Sequence, residues 1–173
     1  MIIRIPGVYP WLPLFDMDVN DMMYDITSMT DLNGAVKEIL LKIPPSAIFT
    51  FQGHPGAGKT TLVKEAALLL RVKEQVQSPT FNIMNGYTGH YFDDSSIHIY
   101  HLDFYRLTGD DSLLDLHFSE ISQDKPFYAF IEWPRKVNIN LLTSGIDIYS
   151  FKLDTVWSDR EQKVVKRTLT SSL

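Results

Sequence analysis

The chain has 173 residues, 45% hydrophobic and 21% charged, with a formal net charge of −5. This balance fits a single globular domain with its own core and excludes wholesale disorder. Cysteine is absent, which excludes disulfides, thiolate metal sites and a cysteine nucleophile and fits a reducing, cytoplasmic compartment, while the acidic surplus excludes a broad basic surface for gripping nucleic acid unaided.

No stretch approaches the roughly 18 apolar residues of a membrane span. The segment Met1 to Phe15 is apolar, but Pro6, Pro10 and Pro13 break it and no small-residue cleavage site follows. It reads as an extended arm that packs across the domain surface; Trp11 and Phe15 are anchor-type residues that would instead suit a partner-docking strip. Residues 16–27 are acidic and Met-rich and read as a linker, so residues 1–27 form an N-terminal extension and 28–173 the domain.

Thr30 is the expected N-cap of a first helix. Leu32, Val36, Ile39 and Leu40 follow at helical spacing along one face. Pro44 and Pro45 end it, because proline lacks a backbone donor and clashes with the preceding turn. Ala47 to Phe51 is a short apolar run rich in aromatic and β-branched residues, the pattern of a buried strand. A second helix is expected over 61–70 and a turn-rich region over 77–96. The segment 97–105 alternates with period two, placing Ile97, Ile99, His101 and Asp103 on one face. A short helix is expected over 110–121, and a buried strand over 127–131 that closes in Glu132. The alternating segments 146–153 and 163–169, around a turn at 157–160, read as an antiparallel hairpin at the sheet edge.

Between the first strand and the second helix stands Gly53-His-Pro-Gly-Ala-Gly-Lys-Thr60, the full P-loop pattern. Small residues let the chain wrap so that successive backbone N–H groups point at phosphate oxygens, and the following helix adds the positive end of its dipole. Gly53, His54, Gly56, Ala57, Gly58, Lys59, Thr60 and Thr61 are the candidate ATP-binding residues. Lys59 would neutralise the β and γ phosphates, and the Thr60 hydroxyl would ligate Mg²⁺. Pro55 withholds one N–H from the loop. Asp103 and Glu132 each close a strand, at the sheet end where open α/β sheets bind ligands. They are the candidate catalytic acids and further metal ligands, Glu132 being the better match to a Walker-B acid. Arg106 would lean on the triphosphate or pair with Asp103, and Trp133 would pack the site or mark a partner surface. His101 reads as a core histidine. Ser78-Pro-Thr-Phe81 has the composition of a plain turn, and its hydroxyls and rigid proline also suit a loop that senses the γ-phosphate. The expected fold is α/β: one three-layer P-loop NTPase-like domain with a mixed sheet.

Four motifs occur in one order: Gly53 to Lys64, Ser78 to Phe81, His-Leu-Asp-Phe-Tyr-Arg-Leu at 101–107, and Ile-Glu-Trp-Pro at 131–134. Together they resemble the TsaE (YjeE) family of bacterial P-loop ATPases over about residues 28–168. The resemblance implies a part in making threonylcarbamoyladenosine on tRNA. It implies an ATPase that does not transfer the group itself but binds the TsaD–TsaB heterodimer, with ATP hydrolysis needed for repeated cycles and the tRNA held by those partners. It further implies that Lys59, Thr60 and Thr61 hold phosphate and metal, that Asp103 and Glu132 are essential acids, that Ser78, Pro79, Thr80 and Phe81 form a mobile switch-like loop, and that Trp133 lies beside the site. His54-Pro55 stand where the family commonly has Asp-Leu, Arg135 stands where a neutral or acidic residue is usual, and the N-terminal extension lies outside the family pattern.

Two other uses of the same cradle are a small-molecule kinase and a non-hydrolysing nucleotide sensor. The kinase needs an arginine-rich lid, whereas the six arginines here are scattered at positions 4, 71, 106, 135, 160 and 167. No Asn-Lys-x-Asp segment is present to read guanine.

Overall fold

The computed structural model describes residues 22–79, 83–107, 126–136, 145–158 and 163–172. Helix α1 spans Met29–Lys42. Its N-cap is Ser28, not the expected Thr30: the Ser28 Oγ accepts from the Asp31 N–H at 3.1 Å and donates to Asp31 Oδ2 at 2.6 Å. Thr30 falls within the first turn, two residues past the position whose side chain caps the Asp31 amide. At the other end Pro44 stops the helix as expected, and the freed carbonyls find tyrosines. Tyr128 Oη donates to Ile43 O at 2.6 Å, and Tyr91 Oη donates to Leu40 O at 2.8 Å. Helix α2, Lys59–Leu69, packs against α1.

Seven strands form one sheet: β1 Met23–Asp25, β2 Ala47–Gln52, β3 Met84–His90, β4 Ser96–Asp103, β5 Phe127–Glu132, β6 Asp147–Ser158 and β7 Lys163–Ser172, in the order β1-β7-β6-β2-β5-β4-β3. The four central strands run parallel (β6 with β2, β2 with β5, β5 with β4), and antiparallel partners flank them on both sides. The mixed α/β sheet is the expected architecture; its edges differ from expectation. The hairpin β6–β7 is antiparallel, yet β6 lies inside the sheet beside β2 and the short β1 covers β7. Met22 and Ile26 are buried on either side of β1, so the end of the expected linker belongs to the sheet and core. The region expected to be all turn contains β3, paired with β4 along its whole length. Strand β6 also runs to Ser158, into the expected turn. The helix expected over 110–121 lies outside the described residues.

The central strands are buried on both faces. On the helix face, Phe49, Phe51, Phe130 and Phe151 of β2, β5 and β6 meet Leu40 of α1 and Leu62 and Ala66 of α2. On the other face, Ile48, Leu102, Phe127, Ala129 and Ile131 form a second buried cluster. Strands buried on both faces carry continuous apolar runs, which is why β2 and β5 are legible as runs rather than alternations. Parallel register sets Asp103 opposite Glu132 and Phe51 opposite Glu132, so three strands end in one row. This row fixes the site.

Candidate functional site

Strand β2 ends at Gln52 and α2 begins at Lys59, and the loop between them is shaped by glycine. Gly56 and Gly58 have φ of 79° and 108°, conformations that a Cβ disfavours. Gly58 is the N-cap of α2 and contributes no side-chain cap, so the first amides of the helix are left for an external acceptor. The loop borders a cavity of about 370 Å³ lined by Pro55, Gly56, Gly58, Lys59, Thr60, Thr61, Asp103, Tyr105, Glu132 and Trp133.

Lys59 is buried, and its Nζ donates to the carbonyls of Gly53 at 2.8 Å and His54 at 3.0 Å. The same ammonium lies 3.9 Å from the centroid of the Trp133 ring, a cation–π contact. Burial holds the lysine below its usual pKa range, and the carboxylates of Glu132 and Asp103 oppose that shift. A further anion in the cavity would oppose it in the same sense. Trp133 has a φ of 60°, uncommon for a bulky residue, and its ring packs against Tyr105 with centroids 5.0 Å apart.

The two acids are held differently. Asp103 Oδ2 accepts from the Ser78 hydroxyl at 2.8 Å, and Oδ1 accepts from the Tyr105 N–H at 3.0 Å. Glu132 is buried, and its Oε1 accepts from the Thr60 hydroxyl at 2.8 Å and lies 2.9 Å from His101 Nε2. Thr60, Asp103 and Glu132 thus supply hard oxygen donors to one cavity, a set that fits Mg²⁺.

The structure brings Lys59, Thr60, Thr61, Asp103, Glu132 and Trp133 to the cavity, with Gly56 and Gly58 in its wall. Gly53 and His54 face it only through the carbonyls that hold Lys59; both residues line a neighbouring cavity with Arg135, Lys152 and Asp154. Ala57 is buried beneath the loop. Ser78 reaches the site through Asp103, whereas Thr80 and Phe81 lie outside the described residues. Pro79 has no recorded contact with the cavity, and Arg106 is exposed and outside its lining. Residue-by-residue reading missed Tyr105 and the part played by His101. The period-two alternation already sets His101 on the Asp103 face, and Tyr105 stands two residues beyond that acid.

Among curated proteins, the chain is 32% identical over 132 residues to the tRNA threonylcarbamoyladenosine biosynthesis protein TsaE of Nostoc sp. PCC 7120, covering 70% of this chain and 76% of that one. It is 31% identical over 114 residues to the protein of the same name from Borreliella burgdorferi, covering 66% and 79%. The crystal structure of Bacillus subtilis YdiB superposes with a TM-score of 0.56 at 20% identity over 87% of this chain and 84% of that one, a likeness of fold. A family model described as threonylcarbamoyl adenosine biosynthesis protein TsaE matches residues 26–163. With most of its length inside that match, and with a glycine-rich strand-to-helix loop faced by two strand-end acids, the chain belongs to the TsaE family.

Proposed function

We propose that this protein binds ATP with Mg²⁺ at the β2–α2 loop and hydrolyses it, and that it thereby serves the threonylcarbamoyladenosine modification of tRNA as an accessory to a TsaD–TsaB complex. The observation that carries the reading is the meeting of Lys59, Thr60, Asp103 and Glu132 around one cavity at the end of the parallel strands. The relatives' names point to the same pathway. The acidic net charge agrees with a protein that leaves the tRNA to its partners.

In this reading the loop amides and the α2 N-terminus bind the phosphates, and Lys59 leaves the Gly53 and His54 carbonyls and the Trp133 ring for the β and γ oxygens. Thr60, with Glu132 and Asp103, would hold Mg²⁺, which supplies charge neutralisation to the transferring phosphoryl group. One of the two acids orients the attacking water in line with the γ-phosphorus. Ser78, bonded to Asp103, links the 78–81 segment to the state of the nucleotide. No described arginine lines the cavity, so turnover by the chain alone is expected to be slow.

A pull-down of TsaD–TsaB with and without ATP, followed by phosphate release, tests the proposal. Lys59→Ala is expected to abolish nucleotide binding. Glu132→Ala and Asp103→Ala are expected to keep much of the binding and to lower turnover by about a hundredfold or more, as loss of a positioned acid or base does. Unchanged hydrolysis in both acid variants would refute their assignment. Robust phosphorylation of a small acceptor in place of phosphate release would replace the accessory ATPase by a kinase.

A further inference from the structure

His101 is fully buried on β4, two residues before Asp103. In the parallel register with β5, His101 stands opposite Phe130 and Asp103 opposite Glu132. The imidazole therefore reaches diagonally forward, and Nε2 meets Glu132 Oε1 at 2.9 Å. Its other nitrogen, Nδ1, is the one buried side-chain nitrogen or oxygen without a hydrogen-bond partner among the described residues. An orphaned buried polar atom costs stability, and an apolar residue of similar size would fill the same space without that cost. Packing alone does not account for this histidine.

Its partner does. A carboxylate oxygen accepts, so in this bond Nε2–H donates to Glu132 Oε1. Among the described residues, both hydrogen bonds to the Glu132 carboxylate fall on Oε1, one from Thr60 and one from His101. Oε2 is left for a water or a cation. We infer that His101 is a positioning residue: its Nε2–H fixes the orientation of the Glu132 carboxylate in the nucleotide site. Buried second-layer donors of this kind set the rotamer and basicity of the group they hold. The inference rests on the ATPase reading for its consequence in turnover, but the hydrogen bond itself is a property of the ligand-free chain.

The test uses the full-length protein and three variants. His101→Leu removes the donor and keeps bulk, His101→Gln restores a side-chain N–H near the position of Nε2, and Glu132→Gln alters the acceptor. Loss of such an orienting bond is expected to lower kcat for ATP hydrolysis about tenfold or more in His101→Leu with KM changed by less than about twofold, and His101→Gln is expected to return kcat to within about threefold of the parent. Nitrogen-15 NMR of histidine-labelled, ligand-free protein is expected to show a protonated Nε2 at His101, with the Nε2–H resonance shifted in Glu132→Gln. Wild-type kcat in His101→Leu would overturn the inference. So would equal losses in the leucine and glutamine variants that follow their thermal stability, or an Nε2 found without its proton. If the leucine variant does not fold, the glutamine variant and the NMR decide. If the parent hydrolyses no ATP even with TsaD–TsaB, the ATPase reading falls, and the coupling of the His101 resonance to Glu132 decides the positioning role by itself.

Discussion

Gly53 has to be glycine for a reason that neighbouring strands impose. A Cβ there would lie 2.7 Å from the backbone carbonyl of Leu153 on β6, a residue just past the ladder with β2 and paired with Leu169 of β7. Gly53→Ala is expected to destabilise the fold by about 1–3 kcal/mol, the range for overpacking a closely fitted site. Gly56→Ala meets nothing within 4 Å and carries only the left-handed backbone cost, about 1–2 kcal/mol. Equilibrium denaturation of the two variants separates steric from conformational demand, and a neutral Gly53→Ala would contradict the close approach to β6. At this scale the glycine-rich loop between β2 and α2 is legible from sequence, because its residues are dictated by local backbone chemistry. His101 is not legible in the same way. Its meaning depends on Glu132, a neighbour in space but 31 positions away, and a buried histidine with no visible acceptor reads as core.

Helix α1 shows what local pattern carries and what it omits. The apolar spacing and the Pro44–Pro45 stop locate the helix, but the cap expected at Thr30 is Ser28, fixed by its pair with Asp31. Its C-terminal carbonyls depend on distant tyrosines, which no local pattern reveals. Tyr128→Phe leaves the buried Ile43 carbonyl without the Tyr128 hydroxyl at 2.6 Å; a loss of about 1–3 kcal/mol is expected in denaturant titrations, the cost of stranding a buried acceptor. Strand β3 escaped reading because Met-Asn-Gly-Tyr-Thr-Gly-His has two glycines and no apolar run. It exists through its ladder with β4, and Gly89 lets it approach the Leu70 carbonyl at the end of α2. Helix α1 also meets β1 through charge. The hydrogen bond from Lys42 holds the Glu38 carboxyl below its usual range, against the effect of burial, and the Tyr24 hydroxyl adds to the lowering. Burial, chiefly, raises the Tyr24 phenol, and Glu38 raises it further. A lowered carboxylate pKa stabilises the fold above the ordinary carboxylate value, and that contribution disappears as pH falls through the lowered one. Glu38→Gln is therefore expected to be less stable than the parent near neutral pH by under about 1 kcal/mol, because the pair is partly exposed. The gap should close on acidification through the lowered value; a gap independent of pH would contradict the linkage.

Across the whole molecule, the site exists because strands far apart in sequence end in one row. β2, β5 and β4 lie side by side in parallel register, and that register places Glu132 between Phe51 and Asp103. Phe49 of β2 packs between β5 and β6, with its ring 5.1 Å from Phe130, 5.3 Å from Tyr128 and 6.3 Å from Phe151. Phe49→Ala is expected to cost about 3–5 kcal/mol, with thermal unfolding as the readout; a loss below about 1 kcal/mol would mean that β2, β5 and β6 do not share one core. Strand existence was largely readable from apolar runs and alternation. Strand order was not, since nothing local in β6 and β7 distinguishes a hairpin at the edge from one whose first strand lies against β2 and whose second is covered by Met23–Asp25. Such pairings are long-range choices, settled by which faces must be buried together. The measurement that bears most directly on the central claim is calorimetric titration of ATP and Mg²⁺ into the wild-type chain and into Lys59→Ala, with folding of both confirmed by circular dichroism. Saturable heat in the wild type and none in the variant is the result expected of a phosphate cradle at the β2–α2 loop, and equal heats in the two, or none in either, would contradict it.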